Sequence, residues 1–484
     1  MTSLSLSAYI VLHHMAKAHA ARVIKLRWKG EVQRDVPPCF VHNAQDNDSS
    51  AKGAGGPICR LPPEIILFIF SIIAEDYPPS LDYDSTIQRL GWITVTHVCN
   101  AWRRISIGTA KLWARGLGRL PRALSDFRER AGDAIPVDLT ASVKDGQSNE
   151  GGVWFSDGEI PLSRIRSIEV NMADTMDSSL TRMLAGGETS ALESLVINLN
   201  SPGYWILKEY EGPEPLYAPQ LRTASLKKNF VPLRAASLTV LSLELKLLGT
   251  AAAPFLSVLF TTISYSPSLQ ALKICHLYAE PEDFEGVTAC QQPLHHLESI
   301  VLEAFYPLAY SRFLDKLSFP ASTMISIASL ASPRPPTSIL SSVARAIWRD
   351  VPPNGLEVGL AKAFLNLAFF SFATDHDAHP DPSLFPSSAK PRAEIRHVRY
   401  SLSTELRRVA SEVDLSTIVA LSIRSAGEDN LARSVEWADV FAVLPGVRTL
   451  HLDMAGKLDA SIFTVPETRA GELPSLFLPH LERL

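Results

Sequence analysis

The sequence lacks a strong charge of either sign and lacks long apolar runs. Its 46 lysines and arginines nearly balance 51 aspartates and glutamates, which leaves a formal net charge of −5. Such a chain has no field that would favour nucleic acid or an anionic membrane as its main partner. No run approaches the roughly 18 apolar residues that a membrane-spanning helix needs. We therefore expect neither a nucleic-acid partner nor a membrane partner.

Cysteine is scarce and its spacing is uninformative for metals. The five cysteines are Cys39, Cys59, Cys99, Cys275 and Cys290. They form no CxxC pair, and an odd number at these wide intervals gives no disulfide framework. Reduced thiols in a reducing compartment are the simplest interpretation, so we expect a cytoplasmic or nuclear protein.

The common catalytic motifs are also missing. The chain contains no GxxxxGK[ST] phosphate loop, no HExxH zinc helix and no GxSxG nucleophile elbow. The best remaining cluster is DHDAHPD at 375–381, which offers possible metal ligands but reads more simply as a solvated loop. We therefore expect no enzyme activity, no catalytic residue, no cofactor and no metal, with a metal-dependent enzyme as a distant alternative.

A chain of 484 residues has room for more than one domain. Residues 42–57, HNAQDNDSSAKGAGGP, are small and polar, which predicts a linker. The preceding segment has no acidic residue before Glu31, so a weak transit peptide is one interpretation. A flexible leader or a misassigned start is the other and is preferred, which makes 1–57 a leader and linker.

The stretch at 61–77, LPPEIILFIFSIIAEDY, predicts a helix that is apolar on nearly every side. Without a membrane, such a helix lies deep in a core or divides its surface between its own core and a partner. Further along, Trp92, Val95, Cys99 and Trp102 recur at intervals of three, four and three, which predicts a second helix. The β-branched run from 93 to 96 leaves a strand as the competing interpretation. The basic residues that follow are expected to form a solvated face: Arg103, Arg104, Lys111, Arg115, Arg119, Arg122, Arg128 and Arg130.

From about residue 135 the pattern becomes strand-like. PVDLTASV predicts a short strand, and a motif of the form apolar-x-x-apolar-x-apolar then recurs. Its copies are IRSIEV at 165, LESLVI at 192, LRTASL at 221, LTVLSL at 238, LQALKI at 269, LESIVL at 297, IVALSI at 418 and VRTLHL at 447. Such copies predict strands that stack into a solenoid with a shared core, unrelated Leu-rich strands being the alternative. The pattern blurs between 328 and 412, and the chain stops at the opening of another copy, LPHLERL, which suggests truncation.

Residues 59–113 resemble an F-box, in the variant found in expanded families of mushroom-forming fungi. The matching residues are Leu61-Pro62-x-Glu64-Ile65, the apolar continuation to Phe70, Val98-Cys99-x-x-Trp102-Arg103 and Leu112-Trp113. The link at 74–91 is longer and more polar than in the compact form. The motifs behind it are similar in kind to the substrate-binding half of F-box leucine-rich-repeat proteins.

Together these features predict an α+β multidomain chain. A small all-α F-box helical module at 58–130 would be followed at 131–484 by an irregular leucine-rich-repeat-like α/β solenoid. The resemblance implies a substrate-recognition adaptor that docks to the Skp-type adaptor of a cullin-RING ubiquitin ligase and binds an unknown protein substrate. The alternative is a ligase-independent interaction scaffold with F-box-like helices.

The residues expected to face the Skp-type adaptor follow from the resemblance and from helical spacing. They are Leu61, Pro62, Ile65, Ile66, Ile69 and Phe70, with Val98, Trp102 and Trp113 shared between the core and the interface. The competing interpretation is that all nine belong to the core.

Overall fold

The computed structural model divides the chain into two compact units, Met1–Ala173 and Asp174–Leu484. It describes residues 61–80, 90–143, 160–172, 184, 188–199, 214–247, 252–277, 279–303, 307–320, 322–328, 355–361, 364–370, 393–398, 402–412, 414–425, 437–454 and 482. The leader and linker predicted at 1–57 and the metal-loop candidate at 375–381 lie outside the described residues. The predicted domain limits, 1–57, 58–130 and 131–484, stay predictions.

The described residues of the first unit include four α-helices. They are α1 (Pro63–Asp76), α2 (Asn100–Ile107), α3 (Ala110–Ala114) and α4 (Leu124–Ala131). Further 3₁₀ helices span Gly91–His97, Pro121–Ala123 and Leu162–Arg164. The unit also contains two parallel strands, β1 (Val137–Val143) and β2 (Ile165–Met172). Strand β1 is the one that the PVDLTASV stretch predicted.

The single helix expected through Trp92 and Trp102 is two helices. The 3₁₀ helix ends at His97, and Cys99 is extended before α2 begins at Asn100. The 3₁₀ form explains the burial of Trp92 and Val95, because residues three apart share a face when there are three residues per turn. The β-branched residues at 93–96, which disfavour an α-helix, therefore lie in a 3₁₀ helix and do not form a strand.

The second unit consists of strands with interspersed helices. Its strands are β3 (Ser194–Leu199), β4 (Leu216–Tyr217), β5 (Thr223–Lys227), β6 (Leu233–Arg234), β7 (Val240–Leu247), β8 (Ala271–Leu277), β9 (Ser299–Glu303), β10 (Met324–Ala328), β11 (Gly355–Ala361), β12 (Phe364–Phe370), β13 (Ala393–Val398), β14 (Ala420–Ser425) and β15 (Thr449–Met454). Its α-helices are α5 (Ala252–Ser264), α6 (Pro307–Asp315), α7 (Leu402–Glu412) and α8 (Trp437–Ala442). Strands β4 and β6 pair with each other as a separate two-stranded sheet.

The large sheet of this unit is mostly parallel. Its strand order is β3-β5-β7-β8-β9-β10-β13-β12-β11-β14-β15. Seven of the eight recurrent motifs form strands of this sheet, and IRSIEV forms β2 of the first unit, because alternate apolar residues of each motif point to one buried face. A hydrogen bond recurs at the start of these strands: Arg222 N–H donates to Glu193 O (2.9 Å), Gln270 N–H to Thr239 O (2.8 Å) and Arg448 N–H to Val419 O (2.8 Å). The motif therefore determines both where a strand forms and which residues of adjacent strands pair.

The sheet order is interrupted after β10. Strand β12 runs antiparallel to both β11 and β13, and the three strands follow one another in reverse between β10 and β14. In a solenoid each strand is expected beside the copy that precedes it in sequence, and here that rule fails. The blurred pattern at 328–412 corresponds to this reversal.

The predicted fold class is therefore wrong. The helices that carry the F-box resemblance share one compact unit with β1 and β2, so a small all-α module is not found. The region behind them is a large, mostly parallel sheet with helices, an α/β arrangement, and the leucine-rich-repeat solenoid is not found.

Candidate functional site

Helix α1 begins at two prolines and ends at a tyrosine. Pro63 occupies the first turn, where a backbone N–H would have no acceptor within the helix, so its missing N–H costs no hydrogen bond. Glu64 places a negative charge in the same turn. The Ser71 hydroxyl donates to Leu67 O (3.0 Å), and Tyr77 N–H closes the last turn on Ile73 O (2.8 Å). The helix is therefore well formed, even though its apolar residues are distributed around its whole circumference.

One side of α1 packs into the unit's own core. Ile66, Phe70 and Ala74, four residues apart, are buried, and Phe70 is only 1% exposed. The Phe70 ring meets Trp102 of α2 edge to face, with centroids 5.1 Å apart. This geometry is favourable for aromatic rings and anchors α1 on α2.

Behind this contact lies an aromatic cluster. Trp113 packs edge to face on Trp92 at 4.9 Å and on Phe127 at 5.1 Å between centroids. Its indole N–H donates to Ser106 O at 2.9 Å, so the buried polar atom is satisfied. Arg130 covers the outer side of the Trp113 ring at 4.3 Å from the centroid. The cluster makes a rigid base for the surface of α1.

The opposite side of α1 remains open. Ile65 is 37% exposed and Phe68 is 55% exposed, and Leu61, Ile69 and Ile72 are half-buried. We call these five residues the apolar strip. The spacings of Ile65, Phe68, Ile69 and Ile72 place them on one face of the helix, turned away from Ile66 and Phe70, and Leu61 lies just before the helix begins. Adjacent exposed apolar side chains of this size are typical of a protein interaction site.

The nine residues predicted to face a partner divide between the surface and the core. Pro62 and Ile65 are exposed, and Leu61, Ile69 and Val98 are half-buried; Ile66, Phe70, Trp102 and Trp113 are buried. The surface open to a partner comes from the first five, and the last four contribute to the core that holds them.

Phe68, the most exposed large apolar residue of the helix, is not among the residues predicted to face a partner. A helix that is apolar all round does not reveal its phase through apolar residues alone. Its few polar residues carry the signal, because Glu64 and Ser71 lie four residues before and three residues after Phe68. Phe68 therefore shares the polar side of the helix, which faces solvent.

The basic residues after Trp102 lie mostly at the surface. Arg103, Arg104, Lys111, Arg122 and Arg130 are exposed. Arg115 forms an ion pair with Glu75 of α1 at 2.7 Å. Because both side chains are substantially exposed, this pair contributes little to stability. A solvated face remains the simplest interpretation.

In the part of the chain that the structure describes, no group of three or more histidine, cysteine, aspartate or glutamate side chains is arranged to hold a metal ion. None of the described helices combines the length and the apolar character needed to cross a membrane.

Comparison of the chain with models of known protein families, with curated proteins and with solved structures finds no match. The F-box resemblance therefore stays a prediction.

Proposed function

We propose that the protein is a non-catalytic substrate adaptor of a cullin-RING ubiquitin ligase. In this proposal the F-box-like segment docks to a Skp-type adaptor through the apolar strip of α1, and the second unit binds a protein substrate. The observation that carries the proposal is the division of one helix into a buried side at Phe70 and an open apolar side at Phe68.

The strip has the form of a helix that lies in a groove. Such helices present apolar anchors at spacings of three and four, as Ile65, Phe68 and Ile72 do. Burying a large apolar side chain fully gives about 1.5–3 kcal/mol. Phe68 and Ile65 are therefore the strongest candidates for anchors, because they have the most surface left to bury.

The second unit offers a broad surface for a substrate. One face of β5, β7, β8 and β9 is half-exposed and carries alternating charges. Lys227 pairs with Glu244 at 3.1 Å, and Lys273 pairs with Glu303 at 3.7 Å. The buried leucines on the other face hold these side chains on a rigid sheet. Ubiquitin transfer would be performed by other subunits of the ligase.

We place the protein in the cytoplasm or nucleus. The thiols of Cys99, Cys275 and Cys290 are free, which is typical of reducing compartments. A ubiquitin ligase adaptor would act in the same compartments.

The test measures binding of the full-length chain to a recombinant Skp-type adaptor by isothermal titration calorimetry. Phe68→Ala should weaken binding about 10-fold or more, because it removes a central anchor. Its stability should change by no more than about 0.5 kcal/mol, since the side chain is exposed. Phe70→Ala, two residues away, should instead destabilise the fold by about 3–5 kcal/mol.

The matched control for binding is Val240→Ala, which shortens an exposed apolar side chain in the second unit. It should leave adaptor affinity unchanged. Failure of the wild-type chain to bind the adaptor, or equal binding by Phe68→Ala, would contradict the proposal. Loss of a different partner in Phe68→Ala would then favour the ligase-independent scaffold.

A further inference from the structure

A second exposed surface lies in the second unit, a few residues before three of the motifs. Four residues before the first leucine of three successive motifs stand Tyr217, Arg234 and Tyr265. Tyr217 is 44% exposed and Tyr265 is 40% exposed, although tyrosine usually buries much of its ring. Arg234 is exposed as well. We call these three residues the Tyr-Arg-Tyr row.

The row is held together by backbone pairing and by one ring contact. Tyr217 of β4 and Arg234 of β6 are direct partners in a parallel pair, so their side chains leave the sheet on the same side. The guanidinium carbon of Arg234 lies 5.1 Å from the centre of the Tyr265 ring. The three side chains therefore form one continuous surface with the cation in the middle.

The base of the row is rigid. Leu216 and Leu233, the residues before Tyr217 and Arg234 in their strands, are fully buried. Leu216 N–H donates to Pro232 O (2.9 Å), and Ala218 N–H donates to Arg234 O (3.2 Å). A partner would therefore meet side chains that are already positioned, which lowers the entropic cost of binding.

Among the residues that the structure describes, no carboxylate forms an ion pair with Arg234. Glu188 is bridged through its backbone to Tyr217, the residue that pairs with Arg234. A guanidinium stacked on an aromatic ring keeps its N–H edge free for two parallel hydrogen bonds to a carboxylate.

We infer that the Tyr-Arg-Tyr row binds an acidic segment of a partner protein. Arg234 would hold an aspartate or glutamate side chain by two hydrogen bonds, and the two tyrosine rings would pack on apolar side chains beside it. Tyrosine and arginine are the residues that most often dominate protein interfaces. The inference goes beyond the proposed function, since it does not require docking through α1.

The experiment selects ligands from a random 12-residue peptide library displayed on phage, panned on the full-length chain and on its Arg234→Ala variant. The wild-type chain should enrich peptides in which an acidic residue adjoins an apolar or aromatic one, and Arg234→Ala should not. In a selected peptide, replacing the acid by its amide should weaken binding about 10-fold. Arg234→Lys should weaken it to a similar degree, because lysine keeps the charge and loses the paired hydrogen bonds.

The matched control is Arg222→Ala, which removes an exposed arginine one motif earlier. The Arg222→Ala variant should still bind the selected peptides. Ile65→Asp in the apolar strip should bind them too, and a loss of Skp-type adaptor binding in that variant would bear only on the proposed function. The inference is overturned if no acidic peptide depends on Arg234, or if Arg222→Ala is as damaging as Arg234→Ala. Phosphorylated versions of the selected peptides are measured in parallel. Tighter binding of these than of the carboxylate peptides would also overturn the inference.

Discussion

At the scale of single residues, the side of a helix on which a side chain lies determines whether it is buried in the core or exposed to a partner. Phe68 and Phe70 have the same side chain in the same helix, and they are 55% and 1% exposed. Composition cannot separate them, because both belong to one apolar run. Only the flanking polar residues mark the phase of the helix, which is why the helix was predictable and its open face was not.

Cys275 gives a pH prediction at this scale. Burial raises the pKa of its thiol to about 12 from the ordinary 9.0, and the hydrogen bond that it donates to Glu303 (3.1 Å) adds to the effect. An unfolded chain therefore ionises this thiol at lower pH than the folded chain does. The contribution to stability is complete below pH 9 and is lost as pH rises towards 12.

Iodoacetamide labelling followed by peptide mass spectrometry checks this prediction. At pH 9 Cys275 should stay unmodified in the folded protein and should react once urea unfolds it, because the thiolate is the nucleophile. In urea titrations between pH 8 and 11, Cys275→Ala should lose less stability than wild type as pH rises. Rapid labelling of Cys275 in the folded protein would contradict the raised pKa.

At the scale of elements, the junction between α1 and the following 3₁₀ helix is sterically constrained. Gly91 has a φ of +53°, and a Cβ placed there would lie 2.5 Å from Tyr77 O. The same carbonyl accepts a hydrogen bond from Trp92 N–H at 2.8 Å. Only glycine can combine this backbone conformation with so close an approach.

Gly91→Ala should therefore destabilise the first unit by about 2–4 kcal/mol, measured by chemical denaturation. Gly286→Ala is the matched control, since Gly286 has a φ of +80° with no atom within 4 Å of the added Cβ. It should cost only about 1–2 kcal/mol for the backbone conformation. Equal losses in the two variants would show that the contact with Tyr77 is unimportant.

Several elements were predictable because their patterns reflect burial directly. The eight motifs form strands, since alternate apolar residues can be buried only on one face of a sheet. The helix over 61–77 was likewise found in outline. By contrast, the split at Val98 and Cys99 was missed, because spacings of three and four fit both one long helix and a 3₁₀ helix followed by an α-helix.

At the scale of the whole molecule, sequence patterns predicted strands better than they predicted how strands assemble. Strands β11, β12 and β13 fall in the region where the motif pattern blurs, and, like β10, they were not predicted. The reversed order of β11, β12 and β13 depends on pairings between distant parts of the chain, which no local pattern records. The solenoid prediction failed for this reason, although the strands of the eight motifs were found.

Hydrogen exchange of the full-length chain with and without a Skp-type adaptor tests the division of labour between the two units. If the proposed function is right, adaptor binding should slow exchange in α1 and α2, because bound protein opens less often. The strands of the second unit should exchange at unchanged rates.

Protection confined to the second unit would place the docking surface away from the apolar strip and contradict the proposal. Adding a selected acidic peptide in place of the adaptor is the complementary control. It should protect β4 and β6 and leave α1 unchanged.

The reversed strands also affect how the protein is made. From β5 to β10, each strand of the large sheet pairs with one already synthesised, so this part can assemble as the chain leaves the ribosome. Strand β11 can pair with β12 almost at once, since β12 begins at Phe364, but its other edge must wait for β14 at Ala420. That edge stays unpaired while the residues between are made, and an unpaired strand edge favours aggregation.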